Sequence, residues 1–283
     1  MRAQAPSPEP LRRPVPPLTP ERLAALLAPA ARRGTLLLGT DFDGTLAPIR
    51  PDPEDATILP EAAAALCHLA TRTPVAILSG RDATTLARLA PIPQAHLSGS
   101  YGLERWRNGQ LEVAPEAVRR AGQLPAIVAA LEATIAQGPP GVTLERKRWS
   151  AAVHFRPAPD PLAAAAALRP ALAGLATTTG WSLVGGRMVY ELQPPGPRSK
   201  GTELRALLLE TGARVAVYAG DDLGDIPAFA ALTAAVERLE LALPLAVLGA
   251  ETPPELVPAA GGRTLPSPQA WARTLQLLAA AVP

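Results

Sequence analysis

Residues 35–46 constrain this chain more than any other stretch. Thr35-Leu36-Leu37-Leu38-Gly39 runs directly into Thr40-Asp41-Phe42-Asp43-Gly44-Thr45-Leu46. A run that is apolar at successive positions has no solvent face, so it reads as a strand buried on both sides, the inner strand of a parallel sheet. In such sheets ligands bind beyond the carboxyl ends of the strands, and here that end carries two carboxylates one residue apart. Two more apolar strands end in polar clusters. Pro74-Val75-Ala76-Ile77-Leu78 leads to Ser79-Gly80-Arg81, and Val215-Ala216-Val217-Tyr218-Ala219 leads to Gly220-Asp221-Asp222-Leu223-Gly224-Asp225. Sequence-distant residues are thereby expected to converge on one crevice.

The strands alternate with helical patterns. Thr19-Pro20-Glu21 supplies an N-cap, a first-turn proline and a first-turn acid, followed by Leu23, Leu26 and Leu27 on one face. Helices are predicted from Pro60 to about Arg72 and around Leu86 and Leu89, and a third strand near His96-Leu97-Ser98. Strand, helix, strand, helix, strand implies a parallel sheet with right-handed crossovers. The rhythm then changes. Asn108-Gly109 marks a hairpin, a helical stretch covers about 115–137, and short strands follow at 142–148 and 150–156. A helix over about 160–177 precedes a second hairpin, 182–184 with 187–192. Pro194-Pro195-Gly196-Pro197 closes this stretch as a hinge, after which the strand and helix pattern resumes, with a strand at 245–248 and a helix near 267–280. The expected architecture is α/β: a Rossmann-like parallel-sheet core over 18–113 and 195–283, interrupted by an inserted α+β domain over 114–194.

At 283 residues two domains are expected. Residues 1–17 are Pro-rich and read as a mobile tail, with no secretory leader. A net charge of +2 is too small to argue for nucleic acid, and no apolar run is long enough to span a membrane. The single cysteine, Cys67, excludes an internal disulfide framework and fits a cytoplasmic protein. Its Ala/Leu surroundings predict a small core residue.

The chemistry these clusters suit is phosphoryl transfer. Asp41 offers an oxygen nucleophile, ionised at neutral pH if its pKa stays near the ordinary value of about 3.9. Strand alternation predicts that Asp43 points the same way. An anionic phosphate ester needs a cation between itself and these carboxylates, and Mg²⁺ matches all-oxygen ligands. Asp41, Asp221 and Asp43, the last through its backbone carbonyl, are its candidate ligands, with Asp222 and Asp225 supporting them from behind. Lys200 opens a helix, a place a cation disfavours, so an anionic partner is expected for it: phosphate together with Asp41. Ser79 can donate its hydroxyl to phosphate, although it could equally cap a helix, a role open to Asp82. In the inserted region, Glu145-x-Lys147-x-x-Ser150-x-x-x-His154-x-Arg156 spans two adjacent strands. A carboxylate beside an ammonium can bind sugar hydroxyls. A cross-strand ion pair on a solvated sheet is the simpler reading.

Asp41-x-Asp43-Gly44-Thr45, Ser79, Lys200 and Gly220-Asp221-Asp222-x-x-Asp225 together resemble the four motifs of the haloacid dehalogenase superfamily. The resemblance implies that Asp41 is the nucleophile, that Asp43 is general acid and then base, and that the insertion is a substrate-selecting cap. A closer resemblance, over roughly residues 35–230, is to trehalose-6-phosphate phosphatases. It rests on residues 41–49, Leu78 to Arg81, Gly99 to Glu104, the Glu145 to Arg156 pattern, Glu191-Leu192-x-Pro194 and Lys200-Gly201. It implies that Glu145, Lys147 and Glu191 contact the disaccharide and that Arg81 lies near the substrate or the cap–core interface. Two positions depart from that family: Tyr101 stands where His is usual, and Gly224 and Ile226 flank Asp225 where Thr and Glu are usual. The implied activity is Mg²⁺-dependent hydrolysis of trehalose 6-phosphate. Apart from the resemblance, a cytoplasmic monomer with no nucleic-acid or membrane partner is the working expectation. The alternatives are phosphatases for sucrose 6-phosphate or glucosyl-3-phosphoglycerate, a phosphohexomutase, and a non-catalytic regulatory domain.

Overall fold

The computed structural model describes residues 18–50, 52–107, 109–186, 188–196 and 198–283. The tail at 1–17, Asn108 of the first hairpin, Arg187 of the second and Pro197 of the hinge lie outside the described residues.

The uniformly apolar segments form the centre of an eight-stranded sheet. In chain order its strands are β1 (Leu36–Thr40), β2 (Val75–Leu78), β3 (His96–Gly99), β4 (Glu104–Arg107) and β5 (Gln110–Val113), followed after the insertion by β10 (Val215–Gly220), β11 (Leu241–Val247) and β12 (Thr264–Leu265). The spatial order is β12-β11-β10-β1-β2-β3-β4-β5. The six strands from β12 to β3 run parallel, and the β4–β5 hairpin adds an antiparallel edge. Pro244 sits in β11 opposite Tyr218 of β10, at a level where β12 has not yet joined, so its missing N–H costs no ladder bond.

Alternation along β1 feeds two apolar layers. Leu36 and Leu38 face a core built with α1 (Pro20–Arg32), α2 (Pro60–Ala70), α3 (Ala83–Leu89) and α10 (Pro268–Ala280). Leu37 faces the opposite layer, with α7 (Lys200–Thr211), α8 (Ile226–Ala234) and α9 (Leu256–Ala259). Thr19 caps α1 as its sequence predicts, accepting from the Arg22 amide. Trp271 of α10 is fully buried and donates from Nε1 to Thr40 Oγ1 at 3.1 Å, fixing the end of β1 next to Asp41. Replacing such a ring by Ala costs roughly 3–5 kcal/mol.

The insertion forms a second, antiparallel sheet ordered β6-β7-β9-β8, with β6 (Thr143–Arg146), β7 (Ala151–His154), β8 (Ser182–Gly186) and β9 (Val189–Gln193). The single helix predicted over 115–137 is instead two, α4 (Pro115–Arg120) and α5 (Leu124–Ala136), separated at Gly122 and restarted at Pro125. With α6 (Pro161–Thr179), α5 covers one face of this sheet through Ile127, Leu131, Leu168 and Leu172. β8 packs against the turn at 223–225, so the sheet stands over the carboxyl ends of the core strands. Arg156 and Glu251 join the two parts with hydrogen bonds of 2.5 and 2.7 Å from one Nη1 to both carboxylate oxygens.

Cys67 differs from its expectation. It lies on the exposed face of α2, because Ala62, Ala65, Leu66 and Leu69 already form the buried one. Among the described residues no helix is long and apolar enough to cross a membrane.

Candidate active site

The first acidic pair does not lie on a strand. β1 ends at Thr40, and residues 42–47 close a turn in which the Leu46 and Ala47 amides both donate to the Phe42 carbonyl. Strand alternation therefore does not orient Asp43; the turn does. Asp41 stays buried and faces inward, with its Oδ1 accepting from the Phe42 amide at 2.7 Å. Asp43 is held by Arg81 in a two-pronged contact, Nε to Oδ2 at 2.7 Å and Nη2 to Oδ1 at 2.8 Å.

Lys200 is the first residue of α7, and its ammonium points back into the crevice. It meets Asp41 Oδ1 at 2.8 Å and Asp225 Oδ1 at 2.7 Å. Burial alone would make this ammonium easier to deprotonate, but Asp225 and Asp41 outweigh it and push its pKa well up, so it stays charged. Ser199 and Thr202 cap the helix reciprocally, which leaves Lys200 free for this contact. Asp225 is fully buried and saturated: Oδ1 accepts from Lys200 and from Tyr218 Oη at 2.8 Å, and Oδ2 accepts from the amides of Asp221 and Asp222 at 3.0 and 3.1 Å. Tyr218 reads in sequence as an ordinary strand residue. Its ring fits because Gly39 on β1 presents no side chain; a Cβ there would come within 2.8 Å of Cδ2.

Asp41, Asp221 and Asp225 bring carboxylate oxygens within 4.8 Å of one another. Burial pushes the Asp41 carboxyl well above its usual range, and the neighbouring Asp225 and Asp221 charges push it further against the pull of Lys200. The donors are all oxygen, from three buried carboxylates, and such a set suits a hard divalent cation. Gly44, with φ +77°, passes so close to the Asp221 carboxylate that a Cβ would collide with it. Thr45 Oγ1 donates to Asp221 Oδ1 at 3.2 Å. Asp43 contributes no carboxylate oxygen to this cluster, since its own is engaged by Arg81.

Ser79 is buried at the end of β2, and its Oγ accepts from the Arg81 amide at 3.2 Å. It is not the cap of α3; Asp82 is, accepting from the Thr85 amide at 2.8 Å. Among the described residues the Ser79 hydroxyl hydrogen has no acceptor, so it can donate to a ligand.

The inserted sheet presents its polar residues to the same crevice. Glu191 of β9 is buried and accepts from Lys147 Nζ at 2.9 Å and from Ser150 Oγ at 2.5 Å. Glu145 lies 4.0 Å from Lys147 and is hydrogen-bonded to His154 Nε2 at 2.7 Å. Burial pushes Glu145 up, but His154 and Lys147 outweigh it and hold its pKa below the usual glutamate range; Arg81 of the core adds a further pull. Core and insertion thus meet electrically across the crevice. Arg156, grouped in sequence with His154, lies beyond β7 and pairs with Glu251 rather than joining this face.

Glu104 carried no assigned role in sequence. It is fully buried and accepts from the Ala83 amide at 2.7 Å and from Trp149 Nε1 at 2.6 Å. It thereby ties the start of α3, next to Arg81, to the β6–β7 loop that carries Lys147 and Ser150. Two contacts to residues 21 and 45 positions away leave no local sequence signal.

Residues 39–244 match the family model of trehalose-phosphatase. The chain is 35% identical over 209 residues to the trehalose-phosphate phosphatase of Mycobacterium avium (strain 104), an alignment covering 68% of this chain and 50% of that protein. It spans about half the length of the curated relatives it matches. Its fold is similar to the C-terminal domain of the C. albicans trehalose-6-phosphate phosphatase, with a TM-score of 0.75 at 24% identity, covering 93% of this chain and 98% of the other. It is also similar to the C-terminal domain of the Candida albicans trehalose synthase regulatory protein, with a TM-score of 0.67 at 15% identity, covering 91% and 98%. Fold alone does not separate catalysis from regulation, whereas the family match extends from β1 through the acidic turn after β10. The chain belongs to the trehalose-phosphatase family.

Proposed function

We propose that this chain is a cytoplasmic, monomeric phosphatase that hydrolyses trehalose 6-phosphate to trehalose and inorganic phosphate with Mg²⁺. In this reading residues 18–113 and 195–283 form the catalytic core, and residues 114–194 form a cap that selects the sugar. The observation that carries it is the position of Lys200, 2.8 Å from Asp41 and 2.7 Å from Asp225, beneath a sheet face bearing Glu145, Lys147 and Glu191. A phosphate-handling floor lies under a carbohydrate-suited roof.

Asp41 attacks phosphorus in line with the ester oxygen. The bond from phosphorus to the sugar oxygen breaks, and Asp43 delivers a proton to that oxygen, giving trehalose and an aspartyl-phosphate on Asp41. Water then attacks the same phosphorus and passes a proton to Asp43. The bond to Asp41 breaks, releasing phosphate and restoring both aspartates. Lys200 and Ser79 donate to the phosphoryl oxygens in both steps. Asp41, Asp221 and the backbone carbonyl of Asp43 would hold Mg²⁺, which would supply charge neutralisation for the phosphoryl group. Asp222 and Asp225 keep the ligand turn in place. The cap's Glu145, Lys147 and Glu191 bind the sugar hydroxyls, and its closure excludes bulk water.

Phosphate release from trehalose 6-phosphate, sucrose 6-phosphate, glucose 6-phosphate and glucosyl-3-phosphoglycerate, with Mg²⁺ and with EDTA, tests this reading. Preference for trehalose 6-phosphate, lost in EDTA and in Asp41→Asn, is the expected result. Preference for another ester would overturn the cap assignment. No metal-dependent release from any ester or from p-nitrophenyl phosphate would overturn the catalytic one in favour of a regulatory domain.

A further inference from the structure

Between β3 and β4 the backbone adopts a conformation that side chains disfavour. Ser100 and Tyr101 both lie in the left-handed region, at φ 49° and 54°, followed by Gly102 at φ 96°. Side chains with a Cβ adopt this region at a steric cost. The strain is imposed by direct attachment to the Ser79–Arg81 turn: the Ser100 amide donates to the Arg81 carbonyl at 2.7 Å, and the Tyr101 amide donates to the Ser79 carbonyl at 3.1 Å. Neither bond places Tyr101 in the apolar core. Its ring keeps partial solvent access and projects into the crevice.

Two glycines clear its path: a Cβ on Gly80 would lie 2.8 Å from the phenol oxygen, and one on Gly224 would lie 3.3 Å from Cε1. Gly186 of the inserted sheet is also a neighbour, where a Cβ would lie at an ordinary contact distance of 3.9 Å from the phenol oxygen. The hydroxyl therefore sits between the turn that handles phosphate and the sheet that faces it. Among the described residues no hydrogen bond to it is formed, while Glu191 of β9, Lys200 of α7, Asp222 and Asp41 are the charged groups acting on it. Strained backbone that aims an uncommitted donor into a site is a signature of function.

We propose that Tyr101 is a further substrate-binding residue, its phenol donating a hydrogen bond to a hydroxyl of the phosphorylated sugar ring at the boundary between core and cap. This rests on the reading of the chain as a sugar-phosphate phosphatase. The protein packed around the ring, with Glu191, pushes the phenol's pKa up, so the group remains a neutral donor. The contact selects for a sugar: an aryl phosphate offers no hydroxyl there.

The test is Tyr101→Phe in the full chain, assayed with Mg²⁺ on trehalose 6-phosphate and on p-nitrophenyl phosphate. Phe keeps the ring in its glycine cradle and removes only the donor. The KM for trehalose 6-phosphate should rise about fivefold or more, with kcat and the KM for the aryl phosphate within twofold of wild type. Tyr101→His restores an N–H donor on a residue that tolerates left-handed backbone, and should recover part of the lost KM. Unchanged KM in Tyr101→Phe, or an equal loss on both substrates with a lowered Tm, would overturn the proposal. Failure of the underlying reading shows in the wild type instead. Were it to prefer another sugar phosphate, the same comparison on that ester decides Tyr101. Were it inactive on every ester, both would fall.

Discussion

Arg81 grips Asp43 at both carboxylate oxygens, with Nε–Oδ2 at 2.7 Å and Nη2–Oδ1 at 2.8 Å, a planar fork matched to a planar acceptor. A carboxyl that hands a proton to a leaving oxygen must free one of its own oxygens, so Arg81 has to loosen this grip as the ester arrives. The phosphate group is the natural competitor for the guanidinium. Arg81→Lys keeps the charge and loses the fork. On the proposed function it should lower kcat/KM at least tenfold on trehalose 6-phosphate and on p-nitrophenyl phosphate alike, because the contact belongs to the core. A loss confined to the disaccharide ester in steady-state assays would place Arg81 with the cap.

Gly44 offers a way to disturb the acidic cluster without altering a charge. Its φ of +77° and its approach to Asp221 leave no room for a methyl group. The backbone penalty for Ala there is about 1–2 kcal/mol, so the chain should still fold. Displacement of Asp221 should weaken Mg²⁺ binding by tenfold or more in calorimetric titration, and activity should fall with it. Gly44→Ala with wild-type Mg²⁺ affinity would show that Asp221 is not a ligand.

What the sequence made legible is the part governed by local pattern. β1, β2 and β10 announce themselves because inner parallel strands are apolar on both faces, and their polar ends mark the crevice by the geometry of the sheet. Thr19 and Asp82 cap helices that their own local sequence defines. The supporting contacts were hidden because they join residues with no shared period. Tyr218 reaches Asp225 only because Gly39 on the neighbouring strand leaves space, and Glu104 reaches Trp149 only once the insertion folds over the core. Asp43 lies three residues beyond the end of β1, so the turn at 42–47 and not strand alternation sets its orientation.

Glu191 and Glu145 should behave differently when truncated, although sequence reasoning gave them one role. Glu191 is buried and satisfies both Lys147 and Ser150. Glu191→Ala strands a largely buried ammonium, and about 2–4 kcal/mol should be lost in urea unfolding. Glu145 is half-exposed, and its contacts with Lys147 and His154 are worth roughly 0–1 kcal/mol. Glu145→Ala should leave stability nearly unchanged while raising the KM for trehalose 6-phosphate about tenfold and sparing the aryl phosphate. A large stability loss in Glu145→Ala would make its role structural.

Acid sensitivity should centre on Glu203, which is buried in α7 beneath β3 and β4. It binds His96 Nε2 at 3.1 Å and Arg105 at 2.7 Å, while Arg107 donates from Nε to the other His96 nitrogen at 2.9 Å. Burial pushes the Glu203 carboxyl up, but the His96 and Arg105 contacts outweigh it and hold its pKa below the usual glutamate range. A carboxyl whose pKa is lowered on folding adds stability above its unfolded pKa of about 4.3, and that stability is lost as pH falls through the lower folded value. Glu203→Gln should therefore cost about 2 kcal/mol at pH 7, from the charged hydrogen bonds it removes. The difference from wild type should shrink steadily between roughly pH 5 and pH 3, as protonation gives the wild type the same neutral side chain. Urea unfolding of both proteins across that range checks this, and a difference that stays constant to pH 3 would show that Glu203 is not the group whose protonation destabilises the fold.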